Sequence, residues 1–307
     1  MTSRLESASS ADVTATDIPC ALCGALETVR LYLKFGWGIE RCRRCGLVYA
    51  NPRAPESEIL RRYSRDYFWN EYLPAVGAPG GRVDPDFIDG RHAPMLQLVR
   101  SRAPRGRRLL EVGTGAGLFL KAAERAGWEV AGLELSEAAA EFARERLGLD
   151  VRQERAEAMT CAAGSFDAAV MFDVIEHLFD PRTVLEAVRR ALAPGGALVV
   201  STPNFDAFSR AALGSAWAVL SPLEHVYYFT EATLSRLLTE TGFHDVRFDR
   251  APWWLSSIEV MNYRSTHAPG AWRQRAYRAL VSASFGAAAA LVARRGRGDT
   301  LICSASC

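Results

Sequence analysis

The chain has 307 residues, 49% hydrophobic and 23% charged, with a formal net charge of +2. These values describe a soluble globular chain with room for one large core plus appendages, or two modest domains, and exclude a collagenous or mostly disordered one. So small a net charge gives no electrostatic case for a nucleic-acid partner, and seven cysteines without an apolar leader point to thiolate chemistry in a reducing cytoplasm rather than to disulfides.

Residues 1–17 are rich in Ser, Ala and Thr and lack the apolar core of a signal peptide, so a disordered tail is expected. Residues 18–50 hold Cys20-x-x-Cys23 and, eighteen residues later, Cys42-x-x-Cys45. Each pair can form a knuckle that aims two thiolates at one ion, and two knuckles complete a tetrahedral zinc site, with free or redox thiols as the alternative. Gly24 and Gly46 follow the second cysteine of each pair, where the turn calls for a positive φ. Between the pairs, Val29–Leu33 and Gly38–Arg41 read as the hairpin of a zinc ribbon. Four cysteine ligands leave no open position for water, so the zinc is expected to fold this segment rather than to catalyse.

Residues 51–104 read as a helical, aromatic linker and lid. Glu56–Tyr67 is expected to be helical, and Tyr63, Tyr67, Phe68, Trp69 and Tyr72 follow closely. These rings either line a substrate pocket or pack the ribbon onto the main domain. Phe87–Arg102 reads as a helix, and the arginines from Arg100 to Arg108 as a solvated linker.

From residue 105 the pattern changes. Leu109-Leu110-Glu111-Val112-Gly113-Thr114-Gly115-Ala116-Gly117 reads as a buried parallel strand ending in an acid, then a glycine turn. A helix follows from Leu118 to Ala126, and a second strand, Trp128–Leu133, ends on Glu134, where a carboxylate can accept from both hydroxyls of a ribose. A dinucleotide fingerprint wants its third glycine one place later than Gly117. The Glu-x-Gly-x-Gly-x-Gly run instead resembles motif I of the class I S-adenosylmethionine (SAM) methyltransferases, with a dinucleotide site or a purely structural turn as alternatives. The resemblance implies a doubly wound, Rossmann-like, seven-stranded α/β sheet over residues 105–307. It also implies SAM as cofactor, held by Glu111, Gly113, Gly115, Gly117, Glu134, Leu135, Ala156 and Asp173. Members of this family often carry Asp-Ala after the third strand, whereas Arg155-Ala156 stands here with Glu157 beside it.

Further on, Ser136 is expected to cap a helix to Leu147, Leu149–Gln153 to form the third strand and Phe166–Phe172 the fourth. Asp180-Pro181 opens a helix that Ala193–Gly196 closes, Ala197–Thr202 is the fifth strand, and Phe205–Ser221 an irregular insertion. Thr230 caps the next helix with an incomplete capping box, because Thr233 stands where Glu or Gln would reach back. His244–Arg250 reads as the sixth strand and Asp299–Ser304 as the last, which the resemblance implies to be antiparallel beside the sixth. Residues 251–298 form an insertion whose helical stretch, Trp272–Arg294, carries an apolar run too short to span a bilayer. It reads as a buried helix, a homodimer face or a membrane-surface contact.

Methyl transfer to a hydroxyl benefits from a general base or an acidifying metal. His225, after the fifth strand, is the first candidate base, and His177, within Asp173-x-x-Glu176-His177, the second; each could instead be structural. Asp173, Glu176 and His177 could alternatively bind a divalent ion, like the similar tripeptide of some quinone-pathway O-methyltransferases. The chain resembles compact zinc-containing methyltransferases of glycan and secondary-metabolite pathways more than the deoxysugar C-methyltransferases, which implies O-methylation of a small molecule or sugar. N- or C-methylation of a sugar nucleotide or amine, or a SAM-binding accessory protein that docks a partner through its ribbon, are the alternatives.

Overall fold

The computed structural model describes residues 17–217, 219–249 and 294–307. Residues 1–16 of the expected amino-terminal tail and the stretch Trp272–Arg294, apart from its last residue, lie outside the described residues.

Two sheets organise the chain. The larger has seven strands in the order β10-β11-β8-β7-β4-β5-β6. Its parallel core comprises β4 (Arg108–Val112), β5 (Glu129–Glu134), β6 (Val151–Gln153), β7 (Phe166–Phe172) and β8 (Leu192–Pro203). At one edge β11 (Thr300–Ser306) runs antiparallel to both β8 and β10 (His244–Phe248). This is the doubly wound α/β sheet that the family resemblance implied. The central strands are apolar on consecutive residues because both faces are covered. Leu109, Ala168, Val170 and Val199 face one way, onto α4 (Pro85–Arg102) and α5 (Leu118–Arg125). Leu110, Ala169, Met171 and Val200 face the other, onto α7 (Pro181–Ala191) and α9 (Glu231–Glu240). A helix α6 (Glu137–Leu147) packs Ala140 and Ala143 against Leu120 and Val151.

The smaller sheet is antiparallel, in the order β1-β2-β3-β9. The cysteine segment provides β1 (Thr28–Lys34), β2 (Trp37–Cys42) and β3 (Val48–Ala50), while β9 (Tyr227–Tyr228) comes from the loop after β8. Cys20, Leu22, Cys42, Leu47 and Tyr49 share one apolar core with Leu185 and Val188 of α7 and Leu234 and Leu237 of α9.

Several local expectations need correction. Between Glu56 and Tyr67 the chain is not one helix but α1 (Glu56–Leu60), a 3₁₀ turn over Arg61–Tyr63 and α2 (Arg65–Tyr67), followed by a π turn over Phe68–Tyr72 and α3 (Leu73–Ala75). Residues Leu192–Gly196 belong to β8 rather than closing α7. Within the supposed irregular insertion, α8 (Phe208–Leu213) forms. Ser136 stands at the N-cap of α6, but its hydroxyl donates to the Tyr63 carbonyl instead of capping. The capping box of α9 is complete, because the Thr233 hydroxyl accepts the Thr230 N–H in place of a carboxylate. The arginine-rich linker is pinned, not merely solvated: Arg100 lies over the Trp128 ring and Arg102 pairs with Asp245.

Asp167, on β7, also fixes this segment. Its carboxylate accepts the N–H groups of Arg107 and Arg108 and the Arg108 guanidinium, and that guanidinium, with the two N–H groups, holds its pKa well below the usual carboxylate range. A depressed native pKa contributes stability above the unfolded value near 4 that is lost as pH falls. Asp167→Asn should therefore cost about 1–3 kcal/mol at neutral pH. Urea unfolding should show the difference from wild type shrinking between pH 5 and pH 3; a constant difference would exclude the charge as its source.

Candidate functional site

At the carboxyl ends of β4 and β5 two acids lie side by side in the interior. Glu134 is buried, and its two oxygens accept the N–H groups of Gly115 and Ser136, each at 2.7 Å. Burial raises its pKa against these bonds and a further one from the Leu135 N–H. Glu111 is 3% exposed, and among the described residues its Oε2 has no hydrogen-bond partner. Burial and then the Glu134 charge push the Glu111 pKa well up. Two adjacent buried carboxyls with spare lone pairs call for a ligand that brings donors and positive charge. The hydroxyls, ammonium and sulfonium of SAM meet that requirement.

Gly113, Gly115 and Gly117 all have positive φ, at 75°, 56° and 79°. What fills the space of their missing side chains is protein. A Cβ on Gly113 would collide with Val174, one on Gly115 with the Tyr72 hydroxyl, and one on Gly117 would come within 2.7 Å of Leu149. The aromatic segment therefore reaches the glycine turn. Tyr72 stands over Gly115 with its phenol pKa raised by burial and by Glu134, while Phe68 and Trp69 pack edge-on against Phe142 of α6. These rings lie on α6 and the glycine turn, not on the ribbon.

A second cluster forms where β7 and β8 end. Asp173 has a left-handed φ of 53°, uncommon for a non-glycine residue. The Ser201 hydroxyl accepts its N–H at 3.1 Å and donates to its Oδ1 at 3.0 Å. Glu176 is 1% exposed; its Oε2 accepts from the Thr202 hydroxyl at 2.9 Å, and among the described residues its Oε1 has no hydrogen-bond partner. His177 and His225 stack edge to face with ring centroids 4.8 Å apart. The Nδ1 of His177 lies 2.7 Å from the Glu224 carbonyl, and that of His225 lies 2.8 Å from the Val219 carbonyl. A carbonyl only accepts, so each Nδ1 carries a proton and each neutral ring bears its lone pair on Nε2. His177 Nε2 is 3.9 Å from Glu176 Oε1, and ligand atoms of Glu176, His177 and His225 lie within 4.8 Å of one another. Burial, then His225, lowers the His177 pKa to about 3, opposed by the Glu224 carbonyl. Burial also lowers that of His225, but the Val219 carbonyl, Glu224 and Asp173 oppose it. Burial and then Asp173 push the Glu176 pKa well up.

The four ribbon cysteines converge as a third cluster, with Cys20 Sγ 3.4 Å from Cys45 Sγ and Cys23 Sγ 3.5 Å from Cys42 Sγ. Metal–sulfur bonds of about 2.3 Å in a tetrahedron set edges of about 3.8 Å, so the four sulfurs are spaced to surround one zinc ion. Gly24 and Gly46 have φ of 73° and 82°, as the knuckle turns require.

The methyltransferase-domain family matches residues 87–247, more than half of the chain. The chain belongs to that family. Within it, the topology is that of the class I SAM-dependent methyltransferases. The chain is 37% identical over 121 residues to a ubiquinone biosynthesis O-methyltransferase of Cereibacter sphaeroides, covering 37% of this chain and 49% of that protein. It therefore spans about half the length of this curated relative. It is also 34% identical over 160 residues to the protein of the same name from Thiobacillus denitrificans, covering 48% and 69% of the two chains. Phosphoethanolamine N-methyltransferase 2 of Haemonchus contortus, solved with SAM, shares the fold at a TM-score of 0.54 and 21% identity, over 81% of this chain and 59% of that one.

In this methyltransferase domain the other predicted residues are dispersed. Ala156 begins a 3₁₀ turn after β6. Neighbouring Arg155 pairs with Glu56, and Glu157 accepts the Phe179 N–H at 3.0 Å. His92 packs against Phe119, His244 starts β10 on the surface, and His267 lies outside the described residues. Tyr72 and Thr202 are among the side chains that sequence reasoning did not bring to the clusters. No spacing rule marks them, because their contacts cross 43 and 26 residues.

Gly115→Ala should cost about 1–3 kcal/mol, since it forces a side chain into a left-handed conformation and displaces the Tyr72 phenol. In a Tyr72→Leu background the denaturant midpoint should drop by less. Equal drops in both backgrounds would show that Tyr72 is not the obstacle.

Proposed function

We propose that the chain is a SAM-dependent O-methyltransferase acting on a hydroxylated small molecule or sugar, with His225 Nε2 taking the hydroxyl proton. The convergence of two neutral imidazoles on one buried carboxyl, at the carboxyl edge of the sheet, carries this reading. When bound, SAM supplies an electrophilic methyl group on a sulfonium. Glu134, held by Gly115 and Ser136, takes the ribose hydroxyls, and Glu111 accepts from the methionine ammonium. Leu135, Ala156 and Asp173 complete the cofactor shell, and Tyr72 covers the glycine turn from solvent. His225 is the better base of the pair, because Glu224 and Asp173 work against the burial that lowers its pKa. Its Nδ1–H bond to Val219 keeps the lone pair on the reactive nitrogen, and Asp173 offers charge to the imidazolium once the proton arrives. A base matters for a hydroxyl acceptor and little for an amine, which favours oxygen, as do the relatives named O-methyltransferases. Cys20, Cys23, Cys42 and Cys45 are assigned to one structural zinc ion.

Calorimetry and turnover should separate the two acidic and basic roles. Glu134→Ala should weaken binding of SAM's demethylated product by about 10-fold or more, while His225→Ala should lower turnover by about 10² and leave that binding intact. Unchanged affinity in the first variant, or unchanged turnover in the second, would remove that residue from the mechanism.

One observation favours a second reading. Ligand atoms of Glu176, His177 and His225 lie within 4.8 Å of one another, with His177 Nε2 3.9 Å from Glu176 Oε1, and a divalent cation would satisfy them as well as a proton. The backbone-anchored Nδ1 groups resemble the outer support of metal-bound histidines. The proton reading expects turnover to survive a chelator too weak to strip the four thiolates. A Mn²⁺ paramagnetic resonance signal lost in Glu176→Gln, with activity restored by Mg²⁺ after chelation, would assign the cluster to a metal instead.

A further inference from the structure

We propose that the four-cysteine ribbon is a positioning element of the transfer site, holding the His225 loop in register through a single strand pair. This rests on the reading of the Glu176–His225 cluster as the place where the acceptor proton goes. Strand β3 starts three residues after Cys45 and pairs on one side with β2, which ends on Cys42 (Ile39 with Ala50, Glu40 with Tyr49, Arg41 with Val48). On its other side β3 pairs with β9, Val48 opposite Tyr228 and Tyr49 opposite Tyr227. The Ala50 N–H donates to the Val226 carbonyl at 2.9 Å. On the opposite edge of the same loop, the N–H groups of Val226 and Tyr227 donate to the Glu176 carbonyl at 2.8 and 3.1 Å. His225 precedes this clasp by one residue.

A strand of two residues cannot sustain itself, and β9 has no sheet partner but β3 among the described strands. β3 has only three residues, and its register is set by the knuckle before it, where the Cys42 N–H bonds the Leu47 carbonyl at 2.9 Å. Metal bound to both knuckles would close this small sheet, and its loss would loosen β3 first and β9 with it. The cofactor cradle has no such dependence. Gly113 and Thr114 donate to the Leu133 carbonyl, and Gly115 to Glu134, all within β4, β5 and the turn between β4 and α5. The zinc would thus act on catalysis without touching substrate, by fixing where His225 and Glu176 meet.

Hydrogen exchange on the full chain, followed by mass spectrometry, tests this without needing an acceptor. Two perturbations are compared with the zinc-loaded protein: zinc removal by a chelator, and Ala50→Pro with zinc retained, which deletes the one N–H from β3 to Val226. Each should speed exchange in peptides spanning residues 222–229 by about 10-fold or more. Peptides over residues 108–120 should stay protected, and the affinity for SAM's demethylated product should stay within about twofold. With an acceptor in hand, Ala50→Pro should lower kcat and leave the KM for SAM unchanged. Unchanged exchange at 222–229 would overturn the proposal, and so would equal loosening of 108–120, which would make the ribbon merely part of the common core. If exchange responds as expected but His225→Ala turns over normally, the base assignment falls while the clasp stands.

Discussion

The carbonyl of Glu176 accepts two backbone hydrogen bonds, from Val226 and Tyr227, and this junction ties three parts of the chain together. Glu176 hangs from the end of β7, the two donors belong to the loop that returns from β8, and the same loop is gripped from behind by β3. Each such bond adds only about 0.5–1.5 kcal/mol net, and together they seat the loop that carries His225 against the segment that carries Glu176. Three lone pairs meeting in the interior is a costly arrangement unless a positive charge lies among them. A fold that keeps it at rest must hold all three side chains in place: the Glu224 and Val219 carbonyls accept from the Nδ1 groups of His177 and His225, and the Thr202 hydroxyl donates to Glu176.

Both clusters of buried acids lie along one edge of the parallel sheet, where the strands release their carboxyl ends. Glu111 and Glu134 come from β4 and β5, Asp173 and Glu176 from the end of β7. Four acids gathered there, three of them buried, leave an excess of acceptors over donors. A cationic sulfonium reduces that excess. The same arrangement disfavours anionic ligands such as a pyrophosphate, in keeping with the early third glycine at Gly117.

Much of this was legible from residue order. The glycine turn, the acids closing β4 and β5, the apolar run of β7 and the cysteine spacing are local patterns whose period or turn chemistry reports the element directly. The sixth and seventh strands and the doubly wound order followed from the family resemblance. What escaped notice depends on distant contacts. β9 is two residues long and has no period to read, and it exists because β3 offers it an edge. Thr233 completes a capping box with a hydroxyl where the rule looks for a carboxylate or amide. Tyr72 is one aromatic among five, and nothing nearby in sequence says that Gly115 lacks a side chain to admit it. The arginines between 100 and 108 look solvated until Trp128, Asp167 and Asp245 are brought to them.

The chain leaves the sheet after Phe248 and returns at Thr300, and these two strands are neighbours at its outermost margin, with β10 at the rim. Re-entry is fixed by Asn204, whose side chain donates to the carbonyls of Gly296 and Gly298. Closing a longer excursion between fixed ends costs free energy only logarithmically in its length. Three strands, β11, β8 and β7, stand between that margin and β4. The sheet can therefore take a longer or shorter excursion at this margin without displacing β4.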